Sequence, residues 1–406
     1  MKKIIFIFIG IFSIISCTND ILEINDANVS PTKGINNGNK ITETNALNIA
    51  SKIFNKTRSV SDYTIEYVLN DNPKTRNINI PDTLAYIINF GNNNGFAVIS
   101  SDNRIFPILA YSDTGHFKYE KSENDPVYVN FISIIDDYMA TINENDTAII
   151  IPDDYFSACA SEGPLLETKD WGDREPFNKY IEEEHPGCPV GCVAVASGQI
   201  IANCRDKFVY HDSIFNFKAI REAMDTDTTR SLINNTNDNI SPITPTDTTT
   251  YSYETAVDKV ARFLYFLCED LNMKYYPGGS PAYSSDAFKL LKKLGFSVNE
   301  EYYPSYFSDD IISDLVCNGN LIYVDGRLVG DNTMGHAWVI DGCSFCWKDI
   351  YEKKEKINVL FHCNWGWGGL DNGYYSSDLF NTTYGNLEKM KYFSVRKNYK
   401  LVTPQN

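Results

Sequence analysis

The chain has 406 residues, of which 43% are apolar and 13% aromatic. This composition supports a packed core and excludes a chain that is disordered throughout. The 36 Lys and Arg residues are outnumbered by 53 Asp and Glu residues, giving a net charge of −17. Binding to phosphates or to anionic lipid depends on basic clusters, so neither nucleic acid nor an anionic membrane surface is expected as a partner.

The N-terminus has the pattern of an export signal. Two lysines precede an apolar run from Ile4 to Ile15, which is too short to span a bilayer comfortably. A small residue ahead of Cys17 resembles the lipobox of bacterial lipoproteins, in which the cysteine is lipidated and becomes the mature N-terminus. We therefore expect residues 1–17 to be a lipoprotein signal with lipidation at Cys17. An ordinary secretory signal is the alternative.

Both interpretations of the N-terminus predict an exported protein. The lipoprotein signal predicts an anchor in a bacterial membrane, on its periplasmic face or at the cell surface, with release of the mature domain left open. The membrane is then a partner only through the lipid.

The first half of the chain has the pattern of a small α+β unit. Helical spacing of apolar residues over 46–54 predicts a helix. Two apolar runs, 84–91 and 95–100, are separated by an Asn-rich loop and predict a β-hairpin, with a third apolar run at 106–111. The acidic segment 151–163 contains no Lys or Arg and is interpreted as a junction between two domains.

In the second half, predicted helices precede predicted strands. Amphipathic spacing over 257–271 predicts a helix, and a polar insertion over 225–250 predicts a surface loop. Further helices are predicted at 285–294 and 308–317, and strands at 321–324, 336–340 and 357–363. Helices followed by strands predict an α+β domain with segregated layers.

The cysteine pattern gives little support for a metal site. Cys343 and Cys346 have C-x-x-C spacing, but no second pair lies at zinc-ribbon distance, and structural zinc normally needs four ligands. A local disulfide or two buried thiols is therefore expected. Because the chain also lacks an H-E-x-x-H motif and a histidine cluster, no metal and no cofactor is expected.

Cys192 has the setting of a reactive cysteine. Pro189 and Gly191 end a loop, and Cys192 then begins a helix of small residues. A cysteine at a helix N-terminus faces the positive end of the helix dipole, which favours the nucleophilic thiolate. A buried structural cysteine is the alternative when this segment is considered alone.

Two later segments supply the groups that a cysteine nucleophile needs. His336 begins a predicted strand, and Asn364 precedes a turn that carries Trp365 and Trp367. A histidine can share the proton of the thiol, and a third group must then fix its tautomer and orientation. An Asn amide can accept the ring N–H, and a Trp can shield that hydrogen bond from water. The order Cys, His, Asn is that of papain-like proteases.

These segments resemble one family. Gly-Cys192-Val-Ala-Val-Ala, Gly-His336-Ala-Trp-Val-Ile-Asp-Gly and Asn364-Trp-Gly-Trp-Gly-Gly resemble the streptopain family of bacterial cysteine proteases, peptidase family C10. Trp171 and Pro176-Phe-Asn178 are similar to the start of the mature family enzyme, and the runs near residues 86–102 are similar to its pro-segment. The resemblance covers about residues 46 to 395.

The resemblance implies a papain-like α+β fold and a zymogen. It implies a tether and inhibitory pro-domain at 18–155, removed by proteolysis, and a catalytic domain at 160–406 with a helical subdomain and an antiparallel sheet subdomain. Carried over by position, Cys192 is the nucleophile and its main-chain N–H an oxyanion donor. His336 is the base, Asn364 orients it, and Trp365 and Trp367 flank the site.

One position departs from the family. The family usually has Gln two residues after the Trp near the mature start, where it donates to the oxyanion, and this chain has Asp173. A carboxylate would repel the oxyanion, and losing one donor typically costs about 10²–10³ in turnover. Another donor such as Asn178 could serve, the alignment could be shifted, or the enzyme could be weak.

The sequence therefore predicts an exported, lipid-anchored cysteine endopeptidase made as a zymogen, which hydrolyses peptide bonds through an acyl-enzyme. Its expected partners are peptide or protein substrates and its own pro-domain. A catalytically silent relative that binds peptides or inhibits a protease is the alternative. A transferase that passes the acyl group to an amine is a third interpretation.

Overall fold

A computed structural model of the chain describes residues 38–54, 62–70, 82–91, 93–117, 135, 138–142, 145–151, 159–225, 250–301, 308–327, 335–350, 353–380 and 391–396. The predicted signal with Cys17, most of the tether and nearly all of the 225–250 insertion lie outside the described residues. Within the described residues, no helix combines the length and the apolar character needed to cross a membrane.

A helix packed on an antiparallel sheet forms the N-terminal unit. Helix α1, Glu43–Ile53, begins after Thr42, whose side-chain oxygen accepts the N–H of Asn45 at 3.3 Å. Its Ala46 and Ala50 are fully buried, as the helical spacing of apolar residues requires. The strands are β1 (Tyr63–Leu69), β2 (Thr83–Phe90), β3 (Phe96–Ser100) and β4 (Ile108–Ser112). The predicted helix and the β2–β3 hairpin are confirmed.

Most helices of the C-terminal unit share one core with the helix that begins at Cys192, which is buried along nearly its whole length. The helices of this unit are α2 (Lys179–Glu184), α3 (Cys192–Cys204), α4 (Phe217–Met224), α5 (Tyr253–Asp270), α6 (Ser284–Lys293) and α7 (Asp309–Cys317). In α3, residues 193–203 are buried, because small side chains let neighbouring helices approach. A Cβ on Gly198 would lie 2.7 Å from Leu264. The three helices predicted at 257–271, 285–294 and 308–317 are confirmed.

The strands of the C-terminal unit are β5 (Ala160–Glu162), β6 (Lys207–Tyr210), β7 (Ser213–Asn216), β8 (Val298–Glu301), β9 (Asn320–Arg327), β10 (Gly335–Ile350), β11 (Lys353–Asn364), β12 (Gly373–Ser376) and β13 (Lys391–Arg396), and a 3₁₀ helix spans Ser377–Phe380. The strands of both units belong to one antiparallel sheet, apart from the β6–β7 hairpin. The order of the strands in this sheet is β1-β2-β3-β4-β12-β11-β10-β9-β13-β8, and β5 pairs with β10 outside this order. The mixed helix and sheet fold is the predicted α+β class.

Alternate residues of β9 and β10 face two different cores, because successive side chains of a strand point to opposite faces. Tyr323 and Val339 pack with the helices around α3. Val324 and Trp338 pack with α7 and with residues of the N-terminal unit. The helical layer, apart from α7, therefore lies on one face of the central strands, and α7 and the N-terminal unit contribute to the core on the other face.

Strand β4 extends the C-terminal sheet at the edge of β12. Tyr111 pairs with Tyr374, Ala110 pairs with Tyr375, and the rings of Tyr111 and Tyr374 stack with centroids 5.1 Å apart. The hydroxyl of Tyr138 also donates to the Asp378 carboxylate at 2.7 Å. The two units are thus joined by main-chain hydrogen bonds, by a shared core and by a side-chain hydrogen bond.

The segment between the two units is not a free junction at its C-terminal end. Residues 160–162 form β5 and pair with Cys343, Ser344 and Phe345 of β10. A disulfide joins Cys159 to Cys346. The interpretation of 151–163 as a junction is therefore wrong for residues 159–162, which lie against the C-terminal sheet.

Neither alternative expected for Cys343 and Cys346, a local disulfide or two buried thiols, describes the pair. Cys346 is bonded to Cys159, whereas Cys343 is a buried free thiol with its Sγ 3.8 Å from the Sγ of Cys317. The two residues are three apart on a strand and pack in different cores, so their side chains leave opposite faces of the sheet.

The contact between β4 and β12 depends on a residue without a side chain. A Cβ on Gly373 would lie 2.6 Å from the carbonyl oxygen of Tyr111 and 3.0 Å from the Cβ of Ser112. Gly373→Ala should therefore force the strands apart and lower the free energy of unfolding by about 1–3 kcal/mol in urea titrations of the full chain. It should also speed the removal of the N-terminal unit by an added protease.

Gly278→Ala is the matched control, because no atom lies within 4 Å of a Cβ built there. Equal stability and equal cleavage rates for the two variants would contradict the β4–β12 contact.

Candidate functional site

The turn before Cys192 fixes where its thiol lies. Gly191 caps α3 with a φ of 97°, a backbone conformation that glycine adopts at least cost. A Cβ there would lie 2.3 Å from both the Met273 Cε and the Ser280 carbonyl oxygen. The Ser280 hydroxyl donates to the Pro189 carbonyl at 2.6 Å. The loop that ends at Ser280 therefore packs under the turn and holds Cys192 at the N-terminus of a buried helix, as predicted.

The start of β10 brings His336 beside this helix. The main-chain N–H of Ala337 favours the ionised form of the Cys192 thiol, as do the N–H groups of Val193 and of Cys192 itself. His336 is the residue before Ala337. The structure thus places the predicted nucleophile and the predicted base on two elements, α3 and β10, that pack against each other.

His336 is oriented by a main-chain carbonyl. Its Nε2 lies 2.9 Å from the carbonyl oxygen of Trp365. Because a carbonyl oxygen can only accept, Nε2 carries the proton in this contact, and Nδ1 of the neutral ring is left as the acceptor. That tautomer is the one in which Nδ1 can take the proton of the thiol.

The predicted contact between Asn364 and His336 is not observed. The Asn364 Oδ1 accepts from the Gln199 side chain at 3.0 Å and from the Gly366 N–H at 3.1 Å, and its Nδ2 lies 3.4 Å from the Lys169 carbonyl. The amide is fully buried and directed toward α3 rather than toward the histidine ring. Asn364 therefore fixes the turn whose next residue, Trp365, supplies the acceptor.

Indole rings surround His336. The ring centroid of Trp367 lies 4.9 Å from that of His336, and those of Trp365 and Trp338 each lie 6.1 Å away. Trp365 and Trp367 stack on each other at 5.6 Å. The aromatic surroundings keep water from the His336–Trp365 hydrogen bond, which strengthens it. Trp365 and Trp367 were predicted to flank the site, and Trp338 was missed.

Burial keeps the thiol and the imidazole neutral in this structure. It raises the pKa of Cys192 to about 11, and the nearby Asp173 carboxylate acts in the same direction against the N–H groups that favour thiolate. Burial also lowers the pKa of His336 to about 4, although the hydrogen bond to Trp365 opposes this. Between these values the pair consists of a protonated thiol and an uncharged ring.

Asp173 lies at the predicted place beside the nucleophile. Its carbonyl oxygen accepts the N–H of Val190, two residues before Cys192, at 2.8 Å. Its carboxylate is close enough to oppose ionisation of the Cys192 thiol. The alternative donor Asn178 gives its side-chain N–H to the Cys188 carbonyl at 3.1 Å.

Gln199 is the supporting residue that the sequence interpretation missed. It is fully buried and its Nε2 donates to both the Thr168 carbonyl and the Asn364 Oδ1 at 3.0 Å. A signal was present, because a polar residue seven positions after Cys192 lies on the same face of the helix. Among the described residues, no group of His, Cys, Asp and Glu side chains could hold a metal ion.

Comparison with known families decides the classification. The model of the Peptidase C10 family matches residues 171–375, which contain Cys192, His336 and Asn364. The chain belongs to the Peptidase C10 family. It is therefore a cysteine peptidase by family, and a second model, for the Spi protease inhibitor, matches residues 38–138 of its N-terminal unit.

Individual relatives agree with this assignment. Streptopain of Streptococcus pyogenes is 28% identical over 71% of this chain and 72% of its own length. The thiol protease/hemagglutinin PrtT of Porphyromonas gingivalis is 24% identical over 74% of this chain, and this peptidase spans 34% of that longer protein.

A solved structure shows the same fold. A fragment of prointerpain A from Prevotella intermedia superposes with a TM-score of 0.51 at 22% identity, covering 84% of this chain and 99% of the fragment. The predicted papain-like domain preceded by a pro-domain is thereby confirmed.

The hydrogen bonds of Asn364 predict how its loss should act. Asn364→Ala removes the acceptor of Gln199 Nε2 and of the Gly366 N–H, so it should cost about 1–3 kcal/mol in unfolding free energy. Because both side chains fix the same turn, we expect Asn364→Ala and Gln199→Ala to be non-additive by about 0.5–3 kcal/mol in a double-mutant cycle of urea unfolding.

The turnover of the same variants separates support from direct orientation of the histidine. His336→Ala should abolish peptide cleavage, whereas Asn364→Ala and Gln199→Ala should lower kcat by similar, smaller factors. If Asn364→Ala were as inactive as His336→Ala while Gln199→Ala kept full activity, the amide would act on the histidine directly.

Proposed function

We propose that this peptidase is an exported, lipid-anchored cysteine endopeptidase made as a zymogen, with Cys192 as nucleophile and His336 as its acid–base partner. The observation that carries the proposal is the packing of α3, which begins at Cys192, against β10, which carries His336 with its Nε2 held by the Trp365 carbonyl at 2.9 Å.

The tautomer of His336 supports an acyl-enzyme mechanism. Nδ1 takes the thiol proton, and the thiolate attacks the peptide carbonyl carbon as the carbonyl electrons move to oxygen. The protonated ring gives a proton to the leaving amine when the C–N bond breaks. Water then attacks the thioester and passes a proton to the same nitrogen. The C–S bond breaks, which releases the acid product and returns the sulfur to Cys192. Trp365 keeps the ring in place through both steps.

The packing of the N-terminal unit supports its role as an intramolecular inhibitor. Its apolar residues share a core with Trp338 and Trp365, and Trp367 packs against that core. Two of these indoles come from the turn that orients His336. Because burial raises the thiol pKa and lowers the imidazole pKa, the precursor disfavours the thiolate–imidazolium pair. Loss of the unit should let water reach this region and favour the ion pair.

The disulfide limits where processing can release the pro-domain. Cys159 is bonded to β10, and residues 160–162 pair with the same strand. A cut upstream of Cys159 leaves this strand on the mature enzyme and frees the pro-domain. A cut downstream of Cys159 would leave the pro-domain attached through the disulfide. We therefore place the functional cut N-terminal to Cys159, near the predicted boundary at residue 155.

The cell location rests on the N-terminal sequence. The short apolar run from Ile4 to Ile15, followed by a small residue and Cys17, supports lipidation at Cys17 and attachment to a bacterial membrane from outside the cytoplasm. The Cys159–Cys346 disulfide fits an exported protein, because disulfides persist in oxidising compartments.

Asp173 favours a second candidate function. Its charge lies beside the thiol and would oppose an oxyanion, as in a silent relative that only binds peptides. The intact Cys192 and His336 favour the peptidase instead, and autoprocessing separates the two.

Autoprocessing tests the proposed activity directly. The chain from residue 18 onward is incubated without strong reductant, and its intact mass is followed beside the matched Cys192→Ala variant. The wild type should lose about the first 140 residues while the variant stays whole, because only the thiol can form the acyl-enzyme. The mature fragment should retain Cys159.

Two outcomes would contradict the proposal. Equal processing of wild type and Cys192→Ala would show that another protease makes the cut. An absence of Cys192-dependent cleavage of casein, even after an added protease has clipped the junction, would favour the silent binder.

A further inference from the structure

The segment that carries Asp173 is held from both sides by main-chain hydrogen bonds. The Trp171 carbonyl accepts the N–H of Gly368 at 3.1 Å, and Gly172 forms a bridge with Trp367. On the other side the Asp173 carbonyl accepts from Val190 at 2.8 Å. Asp173 therefore lies between the turn that positions Cys192 and the turn that positions His336.

Close packing leaves this segment little freedom. Trp171 is 1% exposed in the helical core. A Cβ on Gly172 would lie 2.8 Å from the main-chain nitrogen of Gly368. The main chain of this segment is therefore held in place. The Asp173 side chain opposes ionisation of the Cys192 thiol electrostatically, and it extends from a fixed position next to the nucleophile.

The amide side chains that could replace a missing oxyanion donor already have acceptors. Asn178 donates to the Cys188 carbonyl at 3.1 Å. Gln199 donates to Thr168 and Asn364, and Asn372 donates to the Lys169 carbonyl at 3.0 Å. Of the side chains near the nucleophile, Asp173 is the one whose charge acts on the Cys192 thiol.

An aspartate can donate only when it is protonated. The ionised carboxylate has acceptors alone, whereas the neutral carboxyl group has one O–H donor. Burial raises the pKa of Asp173, and the Arg174 guanidinium next to it opposes this rise. Among the described residues, Cys192 on α3 is the titratable group on which Asp173 acts. The loop that leads to Val190 carries His185 and Cys188, and the Trp367–Gly369 turn contributes no titratable group. His336 is the remaining titratable group of the site.

We propose that Asp173 is a catalytic residue in its neutral form, with its carboxyl O–H donating a hydrogen bond to the oxyanion opposite the Cys192 main-chain N–H. This inference rests on the proposed function. The carbon–sulfur bond forms, the carbonyl electron pair moves to oxygen, and that oxygen accepts both hydrogen bonds. Asp173 transfers no proton. His336 still gives its proton to the leaving amine.

The donor exists only while Asp173 is protonated, so the consequence is a preference for acidic pH. As the pH rises through the pKa of Asp173, the donor becomes a negative charge that repels the oxyanion. The acylation rate should then fall even though the thiol ionises more readily. A glutamine at this position would donate at every pH and would remove this part of the pH dependence.

The test is the pH profile of kcat/KM for cleavage of fluorescently labelled, unfolded casein, with the full chain after processing. Wild type is compared with Asp173→Gln and Asp173→Ala from pH 4 to 8. The ratio of variant to wild type cancels the titration of His336. Because the Asp173 carboxylate also opposes ionisation of the Cys192 thiol, Asp173→Ala, which removes the charge without adding a donor, reports the effect on the thiol alone. Glu175→Gln is the matched control, because it removes an exposed carboxylate two residues away.

The ratio for Asp173→Gln should rise with pH, by up to about tenfold per unit once Asp173 ionises, toward the roughly 10²–10³ that one oxyanion donor contributes. Asp173→Ala should be far less active than wild type at acidic pH and lose that deficit at neutral pH. Glu175→Gln should give a flat ratio near one.

Two results would overturn the inference, and they are distinguishable. Cys192-dependent cleavage with flat ratios for both Asp173 variants would refute the role of Asp173 and leave the peptidase assignment intact. Absence of Cys192-dependent cleavage in wild type and in Asp173→Gln at every pH would refute the proposed function, and this inference with it.

Discussion

The packing of α3 against the start of β10 is the contact on which the site depends. It places Cys192, at the N-terminus of a buried helix, beside the first residues of a central strand, where His336 lies. Gly191 makes the helix start possible, because any side chain there would collide with Met273 and Ser280. The reacting groups therefore come from a helix and a strand that pack together in the C-terminal unit, which suits catalysis that needs precise positioning.

The same burial that positions the groups also opposes their ionisation. A thiolate and an imidazolium are both costly in an apolar environment, so the neutral pair is favoured in the precursor. The N-terminal unit adds to that environment by packing against the sheet that carries Trp338 and Trp365. Burial in the precursor therefore disfavours the ion pair electrostatically. Extension of the sheet through β4 and β12 makes the N-terminal unit a structural part of the precursor.

Local patterns were sufficient to predict most elements and the position of Cys192 at a helix start. The helical spacing around Val257 and the small residues after Cys192 act within a few positions, so the sequence displays them. The acceptor for His336 was not visible, because a main-chain carbonyl is identical in every residue and only the fold selects Trp365. The Cys159–Cys346 disulfide was missed for a related reason, since it joins residues 187 apart. Gln199 was detectable in principle, as a polar residue on the same helix face as Cys192.

The most direct test of the account is the pH profile of iodoacetamide alkylation at Cys192, read by peptide mass mapping before and after processing. The exposed thiol of Cys317 serves as an internal reference, and His336→Ala as the matched variant. We predict that Cys192 in the precursor reacts appreciably only as the pH approaches its raised pKa of about 11. After processing it should react at neutral pH in a manner that depends on His336. Equal neutral-pH rates before and after processing, unaffected by His336→Ala, would contradict the account.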